Sequence, residues 1–267
     1  MSTVSAEMLK LSTTKAWWGM LIGLAVWASL WALPNAFTAG VEFAPGATAP
    51  SPADDDAVAR SFYTIGLTSF GYVFALVLGV LVISGEYRHK TITTTILGTP
   101  RRPRIVLAKW VVTALYSLLY GVVGLGLGLG VTALVLSARG IELNLGADDL
   151  GRALLLALVA FVLWGLIGVG IGTLVGNQIV AILVGIGFIV AETIASVALS
   201  FVSWGPDVVK WLPSAATSAM LAPSTDTGPN GPEVFVLTWW VGLLVLVAYA
   251  LVTAGIGALL SLRRDVT

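Results

Sequence analysis

Few side chains in this sequence are placed to do chemistry. It has one histidine, His89, so neither a Ser-His-Asp triad nor a His-x-x-x-His zinc site can be assembled from it. It has no cysteine, which removes disulfides, thiol nucleophiles and cysteine-based metal sites together. No Gly-x-x-x-x-Gly-Lys-Ser/Thr sequence occurs. The stretch Gly124–Gly130 lies inside an uninterrupted apolar run with no Lys-Ser/Thr after it, so it is no phosphate loop. If nucleotide energy is used, another polypeptide binds the nucleotide. No catalytic, cofactor-binding or metal-ligating residue is assigned.

Two places remain. Glu192 is the one acid deep within an apolar run, where a carboxylate costs about 2.5–3.5 kcal/mol on insertion scales and generally faces a partner or a watery cavity. It is a candidate residue of a translocation route. The alternative is a protonated, hydrogen-bonded packing residue near Thr193 and Ser196. The second place is the densest polar segment, Gly85–Arg104, with Glu86, Tyr87, Arg88, His89, Lys90 and Thr91 at its start. Ile92 and Ile96 are four apart and share one face of a short helix, and Gly98 and Pro100 follow to end it. That reads as an exposed amphipathic helix. The plainer alternative is a set of cations that enforces topology and touches anionic headgroups.

The elements that position these residues cross a membrane. Of the 267 residues, 57% are hydrophobic and 10% charged, and mean hydropathy is +0.95, whereas a soluble domain is roughly 45–50% apolar and about 25% charged. Six apolar runs, Trp17–Phe37, Phe62–Ser84, Trp110–Leu136, Ala153–Val175, Ile179–Val202 and Val236–Leu262, each reach the ~20 residues that a crossing needs. An all-α polytopic membrane protein with six transmembrane helices is expected, as a single domain over residues 1–267. The first run is too long for a signal-peptide core and should be retained.

Six crossings put both termini on one side. That side then carries Lys10, Lys15, Arg88, Lys90, Arg101, Arg102, Arg104, Lys109, Arg263 and Arg264, against Arg60, Arg139, Arg152 and Lys210 on the other. Lys and Arg are retained in the cytoplasm during insertion, so the termini are expected inside.

Residues 1–15 are compatible with a short interfacial helix or a disordered tail. Thr38–Arg60, rich in proline, glycine and acids, reads as an irregular solvated loop. In 203–233, the apolar pieces around Trp204–Leu212 and Ala215–Leu221 are too short to span, which indicates re-entrant or interfacial helices. Gly124, Gly126, Gly128 and Gly130, with Gly165, Gly168, Gly172 and Gly176, read as close-packing surfaces of the third and fourth crossings.

Gly85-Glu86-Tyr87-Arg88-His89-Lys90-Thr91-Ile92, then Leu97-Gly98-Thr99-Pro100-Arg101-Arg102 and Leu107-Ala108-Lys109, resembles the first cytoplasmic loop of bacterial ABC-2-type ABC transporter permeases. In that family the loop forms a coupling helix docked on a separate ATPase subunit, and two permease copies or homologues line the route. The resemblance thus implies that Glu86 through Leu97 form the docking element. It also implies that ATP and Mg²⁺ bind the ABC ATPase partner, that this chain has no cofactor and is not itself an enzyme, and that it acts in export from the bacterial cell membrane. Membrane lipids, and no nucleic acid, complete the expected partners. Thr91, Thr93, Thr94 and Thr95 depart from the pattern: so β-branched a helix has low intrinsic propensity, and partner contacts would help to order it. A channel or secondary transporter acting alone is the competing reading; it leads one to expect several intramembrane charges or broken helices.

Overall fold

A computed structural model describes residues 3–88, 102–175, 177–221 and 237–263. The chain enters through α1 (Thr3–Ser12), turns at Thr13–Lys15, and rises through α2 (Ala16–Thr38). No ionisable residue interrupts α2, and its exposed face carries Ile22, Val26 and Leu30, an apolar surface suited to lipid or another apolar helix.

Beyond α2 the expected irregular loop is in fact structured. Strands β1 (Glu42–Ala44) and β2 (Ala47–Thr48) form a small antiparallel hairpin, turned at Gly46 with φ +79°, the left-handed conformation glycine adopts without penalty. Next comes α3 (Asp56–Tyr63), with Asp55 as N-cap accepting from the Ala57 and Val58 N–H groups.

The second apolar run, expected as one helix over Phe62–Ser84, is broken. It divides into the end of α3, the single turn α4 (Ile65–Thr68) and α5 (Tyr72–Arg88). Phe70 takes φ 66° at the break. A Cβ on Gly71 would fall on the Gly66 carbonyl, so only glycine fits there. The Trp27 indole N–H donates to the Ser69 carbonyl, which the break leaves without a helical donor. Hydropathy misses the break because every residue around it is apolar or small.

The remaining elements are long and apolar. Helix α6 (Arg102–Ala138) begins well before the expected Trp110. It is followed by α7 (Leu150–Leu174) and α8 (Gln178–Leu199). The short helices α9 (Gly205–Val209) and α10 (Pro213–Leu221) precede α11 (Trp239–Arg263). Among the described residues five helices, α2, α6, α7, α8 and α11, are long and apolar enough to cross a membrane, and the shorter α5 runs among them. The expected helical polytopic architecture holds, with the second of the six runs supplied by a broken element. Helix α10 is buried along Ala216, Thr217, Ala219 and Met220, packed on α7 and α11 rather than on the surface.

Helices α5 and α7 form the middle of the bundle. Tyr72, Leu76, Leu78 and Val80 of α5 are buried beside Phe161, Trp164 and Ile167 of α7. Their approach is set by backbone. A Cβ on Gly168 would fall on the Leu76 carbonyl, one on Gly79 on the Gly165 carbonyl, and one on Gly172 would reach within 2.9 Å of the Val80 carbonyl. Lipid is as apolar as leucine, so such close packing substitutes for a hydrophobic driving force. A Cβ on Gly66 of α4 would fall on the Gly124 carbonyl of α6 and one on Gly128 would come within 3.2 Å of the Gly66 nitrogen, while Gly126 and Gly130 face open space. The glycines therefore split into packing and idle positions; Gly176 lies outside the described residues.

At the hairpin end, Arg139 donates to the Ala36 and Ala39 carbonyls at 2.8 Å, capping α2. Arg60, 5% exposed, donates to the Asp148 carbonyl. Asp56 accepts from Asn144 at 2.9 Å and from the Asp148 N–H at 3.1 Å. These bonds tie α2, α3, α6 and the α6–α7 connection together. They also hold the Asp56 carboxyl below the usual carboxylate range, through the Asn144 bond first and the Asp148 N–H second.

Gly168→Ala should lower the melting temperature of the detergent-purified protein, since overpacking a seam costs about 1–3 kcal/mol. Gly126→Ala, with nothing within 4 Å of the new methyl, should leave it unchanged. Equal melting of the two variants would contradict the packing assignment.

Candidate functional site

The polar segment singled out in the sequence leaves α5 and enters α6. Glu86, Tyr87 and Arg88 form the last residues of α5, and Arg102 opens α6. His89, Lys90, Thr91, Ile92, Ile96 and Leu97 lie outside the described residues. What the structure does describe is the platform that carries this segment.

At this end α1 is held by a buried ion pair. Lys109 Nζ donates to Glu7 Oε2 at 2.7 Å, with side chains 4% and 5% exposed. Lys10 donates to Glu7 Oε1 at 2.6 Å. Lys109 Nζ also stands 3.5 Å from the Val82 carbonyl of α5. One ammonium thus touches α1 and α5 from α6, and the last two of these flank the polar segment directly.

The neighbouring elbow is pinned as well. Tyr120 OH donates to the Trp17 carbonyl at 2.6 Å, the Trp17 and Tyr116 rings meet edge to face at 5.6 Å, and Trp17 Nε1 donates to the Ser12 carbonyl at 3.2 Å. Residues 3–12 are therefore a docked helix, not a tail, with Glu7 and Leu11 turned inward.

Burial pushes the Glu7 carboxyl up, and the Lys109 and Lys10 ammoniums outweigh it, leaving Glu7 below its ordinary value. A lone Glu in the leader before the first run and a Lys just before the third apolar run were visible in the sequence. Their pairing across 102 positions was not, because nothing local to either residue encodes it.

Glu192 has a different setting. It lies on the buried face of α8 with Ala181, Gly185 and Ile189. Its Oε1 accepts from the Ser214 N–H at the start of α10, at 2.6 Å. Thr193 and Ser196 do not bond its carboxyl; their hydroxyls donate to the Ile189 and Glu192 backbone carbonyls. Nearby, Trp164 Nε1 donates to Thr217 Oγ1 at 3.0 Å, and Tyr72 stacks on Trp164 at 4.2 Å.

An apolar groove of about 430 Å³ opens on another side of α8, lined by Trp27, Phe70, Phe74, Ile186, Val190 and Thr193. Glu192 does not line it. Among the described residues no cluster of His, Asp or Glu could hold a metal ion.

Because Glu7 is depressed on folding, its contribution is present above the ordinary carboxylate value of 4.5 and is lost as pH falls through the lower folded value. A fluorophore on Ser12→Cys should report α1 detaching only in that acid range. Glu7→Gln should abolish this acid transition. Detachment at neutral pH, or an unchanged transition in Glu7→Gln, would contradict the pairing.

A family model described as ABC-2 family transporter protein matches residues 3–203, from α1 through α8. No curated protein matches the chain. With three quarters of the sequence covered by that family, and with a bundle of apolar helices whose elements follow it from α1 onward, the chain belongs to the ABC-2 transporter family as a membrane-spanning permease.

Proposed function

We propose that the protein is the permease subunit of an ATP-driven exporter, and that a separate ABC ATPase docks on the segment Glu86–Leu97 to drive it. The observation that carries this reading is the platform beneath that segment. Its two flanking helices are joined by Lys109, one of them is the core helix α5, and α5 lies backbone to backbone on α7. A push on the segment reaches the centre of the bundle with no flexible element between. The ATP and Mg²⁺ belong to the partner, since no phosphate-binding loop occurs in this sequence.

The segment and both termini are cytoplasmic on this reading, in the bacterial cell membrane. That side carries ten basic residues against four on the other. A second permease copy or homologue would complete the route. The exposed apolar faces of α2 and α8, with Val26, Leu30, Leu183 and Ile194, are available to lipid or to that partner. Glu192, on the face of α8 turned to α5 and α10, is the residue we place beside the route.

Glu86→Ala combined with Arg88→Ala should leave membrane insertion intact, because both residues lie outside the apolar spans. The same pair should abolish co-purification of the ATPase or make ATP hydrolysis unresponsive to substrate. Transport by the unmodified protein in vesicles lacking any ATPase would overturn the reading in favour of a channel or secondary transporter.

A further inference from the structure

The cluster at the hairpin end holds a buried cation whose bonding is incomplete. Arg60 of α3 is 5% exposed. Its Nη1 donates to the Asp148 carbonyl, and its Nε is buried with no hydrogen-bond partner. Asp56, one turn earlier on α3, lies within electrostatic reach of Arg60, but its two oxygens already accept from Asn144 and from the Asp148 N–H. Among the described residues no carboxylate forms an ion pair with Arg60. A guanidinium does not deprotonate in a protein, so burying it without a counter-ion is unfavourable.

Two hydroxyls of the same cluster are unbonded as well. Tyr63 stands three residues after Arg60 on the buried face of α3, and its OH has no partner. Tyr63 packs in one cluster with Val135 and Leu136 of α6, and Leu129 packs against that cluster. Thr132 is three or four residues from each of these, so it lies on the same face of α6. It is buried, and its Oγ1 has no partner either. Thr64, Thr193 and Thr253 turn their hydroxyls to the carbonyl four residues back, the local bond open to a threonine in a helix. Thr132 does not.

The three groups share one demand. A guanidinium only donates, and each hydroxyl is free to donate to whatever the guanidinium holds. A group that accepts from all three and supplies the negative charge that Arg60 lacks is an anion. Asp56 limits its charge: a doubly charged ion would be repelled by that carboxylate, whereas a singly charged one matches a single guanidinium. We infer that Arg60, Tyr63 and Thr132 form a binding site for a small monovalent inorganic anion of the halide class, which ties α3 to α6. A halide has no lone-pair directions to satisfy, so it suits three separate donors carried by two helices. The site rests on the fold and does not depend on the exporter reading.

Chloride is the probe. The full-length protein in detergent is melted at neutral pH in sodium gluconate, with sodium chloride substituted at constant ionic strength. The melting temperature should rise by about 4 °C and then saturate, the shift expected at about tenfold over the dissociation constant. In Arg60→Gln the rise should vanish. Tyr63→Phe and Thr132→Val keep the shape of the site, and each should raise the half-saturating chloride concentration about tenfold, the worth of one hydrogen bond to an ion. Equal melting of the unmodified protein in the two salts, or a chloride effect that survives in Arg60→Gln, would overturn the site. Unchanged half-saturation in Tyr63→Phe and Thr132→Val would overturn it too, because unbonded hydroxyls with no ion beside them affect both salts alike. Stronger stabilisation by inorganic phosphate than by chloride would overturn the monovalent assignment.

Discussion

A single buried ammonium organises the end of the bundle where work would enter. Lys109 is almost fully withdrawn from solvent, and Glu7 reaches it from α1 as a buried counter-charge. Breaking a buried pair of this kind by removing one partner costs about 3–5 kcal/mol. The 3.5 Å approach of the same ammonium to the Val82 carbonyl brings α5 into the arrangement. Helix α1 and the two helices α5 and α6 thereby meet at one ammonium.

From there the route inward is steric rather than electrostatic. Helices α5 and α7 touch through Gly79, Gly165, Gly168 and Gly172, with carbonyls of one helix where side chains of the other would be. Backbone contacts of this kind cannot be taken up by rotamer changes, so α7 must follow α5. The opposite end is constrained differently. Arg139, Arg60 and Asp56 tie α2, α3 and α6 to the α6–α7 connection by hydrogen bonds to backbone groups, while α8 and α10 are joined through Glu192.

Much of this was legible in the sequence, because lipid imposes a simple rule on it. Five of the six apolar runs correspond to helices, four with ends near the expected positions and α6 beginning earlier, since satisfying the backbone in lipid leaves few alternatives to a helix. The broken second run was not legible: Ser69, Phe70 and Gly71 do not interrupt hydropathy, and the turn there depends on Trp27 arriving from α2. The solvated stretch after α2 hid a hairpin and a helix for the opposite reason, because proline and glycine counts report loops without reporting the short elements between them. The polar segment was recognised by its resemblance to a family, and the family match over residues 3–203 supports that identification. Glu192 stood out by type alone, but its partner Ser214 lies 22 positions on, beyond any local pattern.

The most direct measurement is a double-mutant cycle on the pair that fastens α1 to α6. Thermal or denaturant unfolding of the purified protein would be compared for Glu7→Ala, Lys109→Ala and the two combined. The buried pair predicts that the double variant is less destabilised than the sum of the single ones, with a coupling of about 1–3 kcal/mol, because the double removes both charges and strands neither. Additive losses would mean that Glu7 and Lys109 act independently, and that α1 is not fastened to the helices that carry the polar segment.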